Sequence, residues 1–496
     1  MPRAVTVDDS AAVERVADRL RPRFAADALI TDLERRRTYE CDGLAHYRSI
    51  PALVVLPADA GQVAEAVRAC VAENVPYVAR GAGTGLSGGA LPHPSGVLIV
   101  TSRMRTIHEI DAANHAAVVD PAVTNAAVSA AAGPVGFYYA PDPSSQQVCS
   151  IGGNVAENAG GAHCLKYGFT AHHVTGLDIV TPDGEAVSLG GGKSLDPPGY
   201  DLLGAFIGSE GTLGIATRVT LRLLRRPEAV RTLLAGFAGT DDAGAAVSAI
   251  ISTGVVPAAI EMMDALAIEA AEAAVACGYP AGAGAVLVIE VDGPAGEVDE
   301  SFAAVERICR DNAAIEIRVA RDETERGLFW RGRKSAFAAV GRISPDYIVQ
   351  DGVIPRAALP TVLRRIAELS AAAGIRVANV FHAGDGNLHP LVLFDEKIPG
   401  QAERAERVSG QILELCVAEG GSITGEHGVG AEKAAFMPVM FTAADLDAMQ
   451  MVRCAFDPAG LCNPGKIFPT PRLCGEPPGR RRGAHPLQES GLAELF

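Results

Sequence analysis

R-G-A-G-T-G-L-S-G-G, Arg80 to Gly89, follows a short apolar run and contains G-x-G-x-x-G at Gly83, Gly85 and Gly88. Spacing alone would suggest a Rossmann dinucleotide fold. Such a loop must open a helix whose N-terminus faces the pyrophosphate. Here Pro92, Pro94 and Gly96 follow at once, and a helix cannot start through them. The segment therefore reads as a loop whose own backbone N–H groups form a concave anion cradle.

The surroundings support that reading. Ala52–Leu56 reads as a strand and Gln62–Asn74 as a helix with Val63, Ala66, Val67, Cys70 and Val71 on one face; Pro76–Ala79 is the next strand. Further strands are expected at Val97–Thr101, Ala117–Asp120 and Thr212–Leu224. Leu177–Thr181 pairs with Ala186–Leu189 through the Pro182-Asp183-Gly184 turn. Two more glycine-rich stretches follow, P-D-P-S-S-Q-Q-V-C-S-I-G-G-N-V-A-E-N-A-G-G (Pro141–Gly161) and G-S-E-G-T-L-G-I (Gly208–Ile215). Glycine lets backbone approach a ligand closely. Three such loops in one α+β domain, ending near Arg226-Pro227, imply a large cofactor held mainly by backbone hydrogen bonds.

A second pattern starts at Val230. Strand Arg231–Phe237, helix Asp241–Thr253, strands Ala258–Met262 and Ala285–Val291, helix Glu297–Asn312 and strand Ile315–Val319 give the order β-α-β-β-α-β. That order suits a ferredoxin-like antiparallel sheet with helices on one face, plus an extra helix near Leu266–Cys277. Helices at Leu359–Ala373, Ala402–Glu419 and Ala443–Phe456 follow. Between the first two, strands Val377–Phe381 and Pro390–Phe394 are joined by the G-D-G-N turn.

His382 and His389 flank that turn, and T-G-E-H-G places Glu426 and His427 further on. Two imidazoles and a carboxylate make a three-ligand set for a catalytic divalent metal with open positions for substrate. With only 11 His in 496 residues, their concentration here points to chemistry on a small molecule. Asp385 could be a ligand, but in G-D-G-N it reads better as stabilising the turn. Glu426 and His427 would face opposite ways in a strand, so both reach one site only if Gly425–Gly428 is irregular.

Composition excludes several classes. A net charge of −16 argues against a nucleic-acid groove, although Arg480, Arg481 and Arg482 form a small basic cluster. No run approaches the roughly 18 apolar residues of a membrane span. Acidic Asp8, Asp9 and Glu14 interrupt any signal-peptide core. The ten Cys contain no C-x-x-C pair, so iron–sulfur and structural-zinc spacing is absent. Scattered thiols without an export signal suggest the cytoplasm.

The three loops in this order resemble the FAD domain of the vanillyl-alcohol-oxidase and para-cresol-methylhydroxylase (PCMH) type. W-R-G-R-K-S-A-F-A-A-V-G-R-I-S-P-D-Y (Trp330–Tyr347), with the two His/Glu segments, resembles the FAD-linked 2-hydroxy-acid dehydrogenases and oxidases of that superfamily, most closely the flavoprotein subunits of bacterial glycolate oxidases and also D-lactate dehydrogenases. The match covers about residues 40 to 470. It implies an α+β fold: an N-terminal helical segment (1–50), a PCMH-type two-subdomain FAD-binding domain (51–228), a ferredoxin-like substrate or cap domain with the metal site and C-terminal helices (229–470), and a flexible tail (471–496).

By motif, the resemblance has Arg80, Gly81, Ala82, Gly83, Thr84, Gly85, Leu86 and Ser87 cradle the FAD pyrophosphate. Pro141, Asp142, Ser144, Ser145, Gly152, Gly153, Asn154, Asn158 and Gly161 would surround the isoalloxazine and ribityl parts. Glu210, Gly214 and Ile215 would lie near the adenine end, and Asn463 would return to the flavin from the C-terminus. Some relatives bond FAD through a His in the first loop; Arg80–Gly89 has none, so FAD is expected to be non-covalent. His382, His389 and Glu426 would hold zinc, with manganese or iron as alternatives. A 2-hydroxy acid would chelate that metal, His427 would take the hydroxyl proton as general base, and the α-hydrogen would leave as hydride to flavin N5. Arg333, or Arg331 beside it, would clamp the substrate carboxylate.

Relatives acting on D-2-hydroxyglutarate carry a Lys shortly before the Asp corresponding to Asp351 and an Asn two residues after the second metal His. Here those positions are Val349-Gln350 and Leu391, which favours a short substrate, glycolate or D-lactate, because a second carboxylate would be buried unpaired. D-2-hydroxyglutarate dehydrogenation and alkyl-glycerone-type lyase chemistry are the alternatives within the family, and a non-catalytic FAD subunit of a glycolate oxidase complex is another. A metal-dependent hydrolase would leave the glycine loops unexplained. No iron–sulfur or haem motif is in the sequence, so electrons are expected to leave to oxygen, a quinone, a cytochrome or a partner subunit. Candidate associations are partner subunits carrying flavin or iron–sulfur clusters, a homodimer, and peripheral membrane association through an electron-accepting partner.

Overall fold

Leu53–Val55 and Tyr77–Arg80 lie on either side of Val97–Val100, all parallel, and Leu29–Ile30 pairs antiparallel with Leu53–Val55 to complete a four-stranded sheet. The helix Ala60–Ala72 provides the crossover; Asp59 caps it by accepting from Gln62 N at 2.9 Å, and its apolar stripe is buried against the sheet. The helix Val7–Leu20 packs on the same core. The computed structural model describes residues 7–193 and 198–469; the expected tail 471–496 and its arginine cluster lie outside them. No helix among the described residues is long and apolar enough to cross a membrane.

A second, antiparallel sheet runs Ile107–Asp111, Ala116–Val119, Ile215–Arg222, Val174–Val180, Ala186–Gly190. The expected 177/189 hairpin is present at that register, Leu177 opposite Leu189. Together the two sheets form the glycine-looped half of the molecule. Arg80 ends one strand and the first loop leaves from it.

In the other half Glu316–Val319, Ala229–Phe237, Ala285–Gly293 and Ala259–Asp264 neighbour one another in that order, antiparallel throughout. This is the ferredoxin-like arrangement. The helices, expected on one face, cover both. Thr240–Ser252, Ala295–Asp311, Leu359–Ala373 and Gln401–Ala418 share one core, while Ala265–Val275 and Glu323–Ala339 cover the opposite face.

The helix Glu323–Ala339 is not apparent from its pattern. Gly327 and Gly332 depress its propensity, and tertiary packing overrides them. A Cβ on Gly332 would strike Tyr279 Oη and Cys277 Sγ, so glycine there permits the close approach. One local signal exists, Asp322 accepting from Glu325 N at 2.9 Å as N-cap.

Val377–His382 extends this sheet by pairing with Ala259–Asp264, which sets Glu261 opposite His382. The chain finally returns to the first half: Tyr77 N donates to Leu461 O at 2.9 Å and Asn463 N to Tyr77 O at 2.8 Å.

Candidate active site

Val377–His382 and Asn387–Leu388 are joined by the tight G-D-G turn, in which Asn387 N donates to Asp385 Oδ1 at 3.1 Å. His382 and His389 thereby stand with ring centroids 5.0 Å apart and planes at 86°. Glu426 Oε1 lies 3.2 Å from His382 Nε2 and 3.3 Å from His389 Nε2. The donor atoms of His382, His389 and Glu426 all fall within 4.8 Å of one another. His389 is buried, and neither of its ring nitrogens makes an aligned hydrogen bond. A buried imidazole facing a carboxylate and a second imidazole is a donor set that fits a divalent cation.

Gly425–Gly428 is irregular, and the cause is Asp351. Its Oδ2 accepts from Gly425 N at 2.9 Å, Glu426 N at 3.2 Å, His427 N at 2.9 Å and Thr424 Oγ1 at 2.6 Å; Asn387 Nδ2 donates to Oδ1 at 2.8 Å. Three successive N–H groups converge on one carboxylate, an anion nest. Wrapping the chain around Asp351 lets Glu426 and His427 both face the site. His427 stacks on His389 with centroids 5.0 Å apart and planes at 11°. Asp351, His389 and His427 also form a compact group, but the Asp351 oxygens are already filled by these donors and by Lys433 Nζ at 3.4 Å, which argues against a second cation there.

The charges around the imidazoles differ. Burial works to lower the His382 pKa, but Glu261 and Glu426 outweigh it and hold it well above the usual value. His389 is also raised, burial again being outweighed by Asp351 and Glu426. Burial pushes His427 down to about 4, with His389 and Lys433 acting in the same direction against Asp351. Burial therefore favours the neutral imidazole at His427. Glu426 sits low because the two imidazoles outweigh its burial.

One residue that no motif marks, Glu261, completes the support. It bonds His382 Nδ1 at 2.7 Å with one oxygen and pairs with Arg333 at 2.7 Å through the other. A carboxylate behind a ligating imidazole fixes its tautomer and orientation. The only signal in the sequence is a lone Glu in the apolar run A-A-I-E-M-M, since a charge on a buried strand requires a partner. Arg333, expected to clamp substrate, is buried with its guanidinium 2.7 Å from Glu261, and it is not among the residues that border the cavity. Arg331 is exposed and does not border the cavity either. Lys334 and Phe337 do face the cavity.

That cavity, about 1170 Å³, runs from His389, Glu426 and His427 to the glycine loops. Arg80, Gly81, Ala82, Gly83, Thr84, Gly85, Leu86, Ser144, Ser145, Gly152, Gly153, Asn154, Glu210, Gly214 and Ile215 border it. Others lie behind the wall. Arg80 borders the cavity, but its guanidinium turns back to Cys41 O at 2.6 Å and supports the loop from beneath Gly83. Ser87 accepts from Ala431 N and Glu432 N through its carbonyl. Pro141 O accepts from Asn125 Nδ2, and Asp142 pairs with His163. Asn158 adopts positive φ at a helix end, and Gly161 packs on the Asp142 carbonyl. Asn463 donates to Gly89 O and Glu210 O at 3.0 and 2.6 Å. Glu210, placed beside the adenine by motif, spends both carboxylate oxygens on Val429 N and Gly430 N at 2.7 and 2.6 Å. It ties the glycine-looped half to the segment carrying His427. The backbone-lined wall, where a Cβ at Gly81 would overlap Ser150 Oγ, fits an extended anionic cofactor such as FAD.

A glycine-looped flavin domain joined to a ferredoxin-like cap defines a class, and residues 51–190 match the FAD binding domain family while 226–467 match the C-terminal domain of FAD linked oxidases. The chain belongs to this family of FAD-linked oxidoreductases. It is 54% identical over 438 residues to the "Glycolate oxidase subunit GlcD" of Escherichia coli (strain K12), covering 88% of each chain. The protein of the same name in Bacillus subtilis (strain 168) is 38% identical, over 87% of this chain and 92% of that one. A D-lactate dehydrogenase of Archaeoglobus fulgidus is 30% identical, covering 84% and 91%. Among solved structures, p-cresol methylhydroxylase shares the fold with a TM-score of 0.77 at 14% identity, over 94% of this chain and 98% of that one. Alkyldihydroxyacetonephosphate synthase does so at 0.71 and 19%, over 93% and 85%.

Proposed function

We propose that this chain oxidises a short 2-hydroxy acid, glycolate or D-lactate, to the 2-oxo acid, with non-covalent FAD and a divalent metal. The observation that carries this is the meeting of His382, His389 and Glu426 in one compact donor set, of which His389 and Glu426 border the cavity that the glycine loops line, with His427 alongside. The names of the relatives, glycolate oxidase subunits and D-lactate dehydrogenases, support it. When bound, the metal on His382, His389 and Glu426 supplies Lewis acidity and FAD supplies the two-electron sink.

The chain's own residues do the rest. Glu261 holds His382 through Nδ1, leaving Nε2 turned to the ligand position. His427, neutral, takes the substrate hydroxyl proton; the imidazolium so formed has Asp351 Oδ2 4.0 Å from its Nδ1. Asp351 holds the loop so that proton acceptor and carboxylate ligand keep their relative positions. Electrons then pass to an acceptor outside the chain, a partner subunit being favoured by the relatives' description as subunits.

Anaerobic mixing with glycolate, each lactate enantiomer and D-2-hydroxyglutarate tests the reading. Bleaching of flavin absorbance near 450 nm by glycolate or D-lactate is expected, and loss of bleaching after EDTA treatment that elemental analysis shows to be complete. No bleaching by any 2-hydroxy acid sinks the activity; full activity in metal-free protein sinks the metal role. Preferential bleaching by D-2-hydroxyglutarate would move the substrate to the larger acid.

A further inference from the structure

His163 lies outside the metal cluster, yet both its ring nitrogens face carboxylates from different halves of the molecule. Nδ1 is 2.9 Å from Asp142 Oδ2, and Nε2 is 3.3 Å from Glu290 Oε1. Its backbone N also donates to Asp142 Oδ1 at 3.2 Å. The ring packs on Trp330, centroids 5.3 Å apart. A neutral imidazole has one N–H and would set a lone pair against one of these carboxylates, whereas an imidazolium donates to both. Burial opposes that charge, but Asp142 and Glu290 outweigh it and hold the pKa at about 10.

Glu290 is a fixed platform. It sits mid-strand in the buried Ala285–Gly293 and accepts from Thr232 Oγ1, Arg326 Nε, Arg326 Nη2 and Trp330 Nε1, each at 2.8 Å. Arg326 and Trp330 belong to the helix Glu323–Ala339. That helix also presents Lys334 and Phe337 to the cavity and, through Arg333 and Glu261, holds His382. On the other side, Asp142 leads directly into Pro143, Ser144 and Ser145, which form part of the glycine-looped wall. His163 thus links the loop that borders the cavity to the helix Glu323–Ala339, with Lys334 Nζ of that helix, 4.0 Å from Asp142 Oδ2, as a weaker second tie.

We propose that His163 is a positioning residue: as an imidazolium bridging Asp142 and Glu290, it fixes the Pro141–Ser145 loop against the Trp330 helix and so sets the flavin relative to the substrate site. The proposal rests on FAD lying along the glycine loops and, for its kinetic arm, on the hydroxy-acid reading above.

The test is H163Q, which can bridge with only one N–H-bearing group and no charge, compared with wild type as holoenzyme. Circular dichroism is expected to be unchanged. The visible flavin spectrum should shift, and stripped protein should rebind FAD more weakly. Anaerobic flavin reduction should slow on the order of 10²-fold, the scale of a misplacement of about 1 Å, with little change in substrate affinity. H163K, which restores a positive donor, should recover part of the rate. Should H163Q fail to fold, D142N removes the flavin-side charge facing His163 (and the longer Lys334 contact at 4.0 Å, for which K334Q is the control) and is expected to give the same spectral change. Wild-type spectrum, FAD affinity and reduction rate in the variant that folds would overturn the proposal. If wild-type flavin is bleached by no 2-hydroxy acid, the functional reading fails alone, because spectrum and FAD affinity still decide the role of His163.

Discussion

The two walls of the cavity are built from opposite materials. The glycine-loop side is backbone: Gly81 to Leu86 and Gly152-Gly153 line it with little side chain, and the Arg80 guanidinium is turned away to support the loop. The opposite side is side-chain charge, with His389, Glu426 and His427 on the wall and His382 behind them, backed by Glu261 and Asp351. A backbone site needs only space and the right turns. A side-chain site in a buried place needs every charge matched, so its determinants extend a further layer back into the fold.

Substitutions can break this contrast, and their effects should fall off in order. His427→Ala removes the proposed proton acceptor and is expected to cost about 10²–10⁴ in turnover, while flavin absorbance and metal content stay at wild-type levels. Retained turnover would end its assignment as base.

Asp351→Ala leaves the Gly425, Glu426 and His427 N–H groups and buried Lys433 without their acceptor. Removing one partner of a buried ion pair costs about 3–5 kcal/mol, to be read by denaturant unfolding, and metal retention should fall with it. Glu261→Gln keeps the shape but weakens the support of His382, and metal affinity should drop about 10–100-fold in a competition titration with a chelator. An unchanged affinity would mean that the deeper layer does not matter.

Gly81→Ala acts on the other wall and should be mildest for stability. Its Cβ displaces Ser150 Oγ, which caps the helix Ile151–Glu157 at Gly153 N and also accepts from Ala82 N. Loss of such a cap costs about 1 kcal/mol, visible as a lower Tm, and FAD affinity should weaken while the metal stays. If metal is lost as readily as FAD, the two walls are not separable in the way described.

Much of this site is legible in the amino-acid sequence. The glycine loops declare themselves because tight turns and close ligand approach are local demands that few residues satisfy. The β-α-β-β-α-β order and its strands are also local, each a short apolar run between turns. His382 and His389 can be placed across one tight turn for the same reason. The helix Glu323–Ala339 is not legible, since its glycines contradict its pattern and only the approach to Tyr279 and Cys277 explains Gly332. Nor is the pairing of Arg333 with Glu261, a carboxylate from a strand it does not neighbour in sequence.

The glycine loops, the cap's strand order and the imidazoles and carboxylate that could bind a metal can all be read from the amino-acid order. How they face one another is set by long-range packing. Glu261 reaches His382 across 121 residues, and Asp351 bends the Glu426–His427 loop from 76 residues before His427. Cavity walls and buried charges are completed by whatever chain folds behind them. That partner leaves no local pattern beyond a lone acidic residue in an apolar strand, so its meaning emerges only when the sheet is assembled.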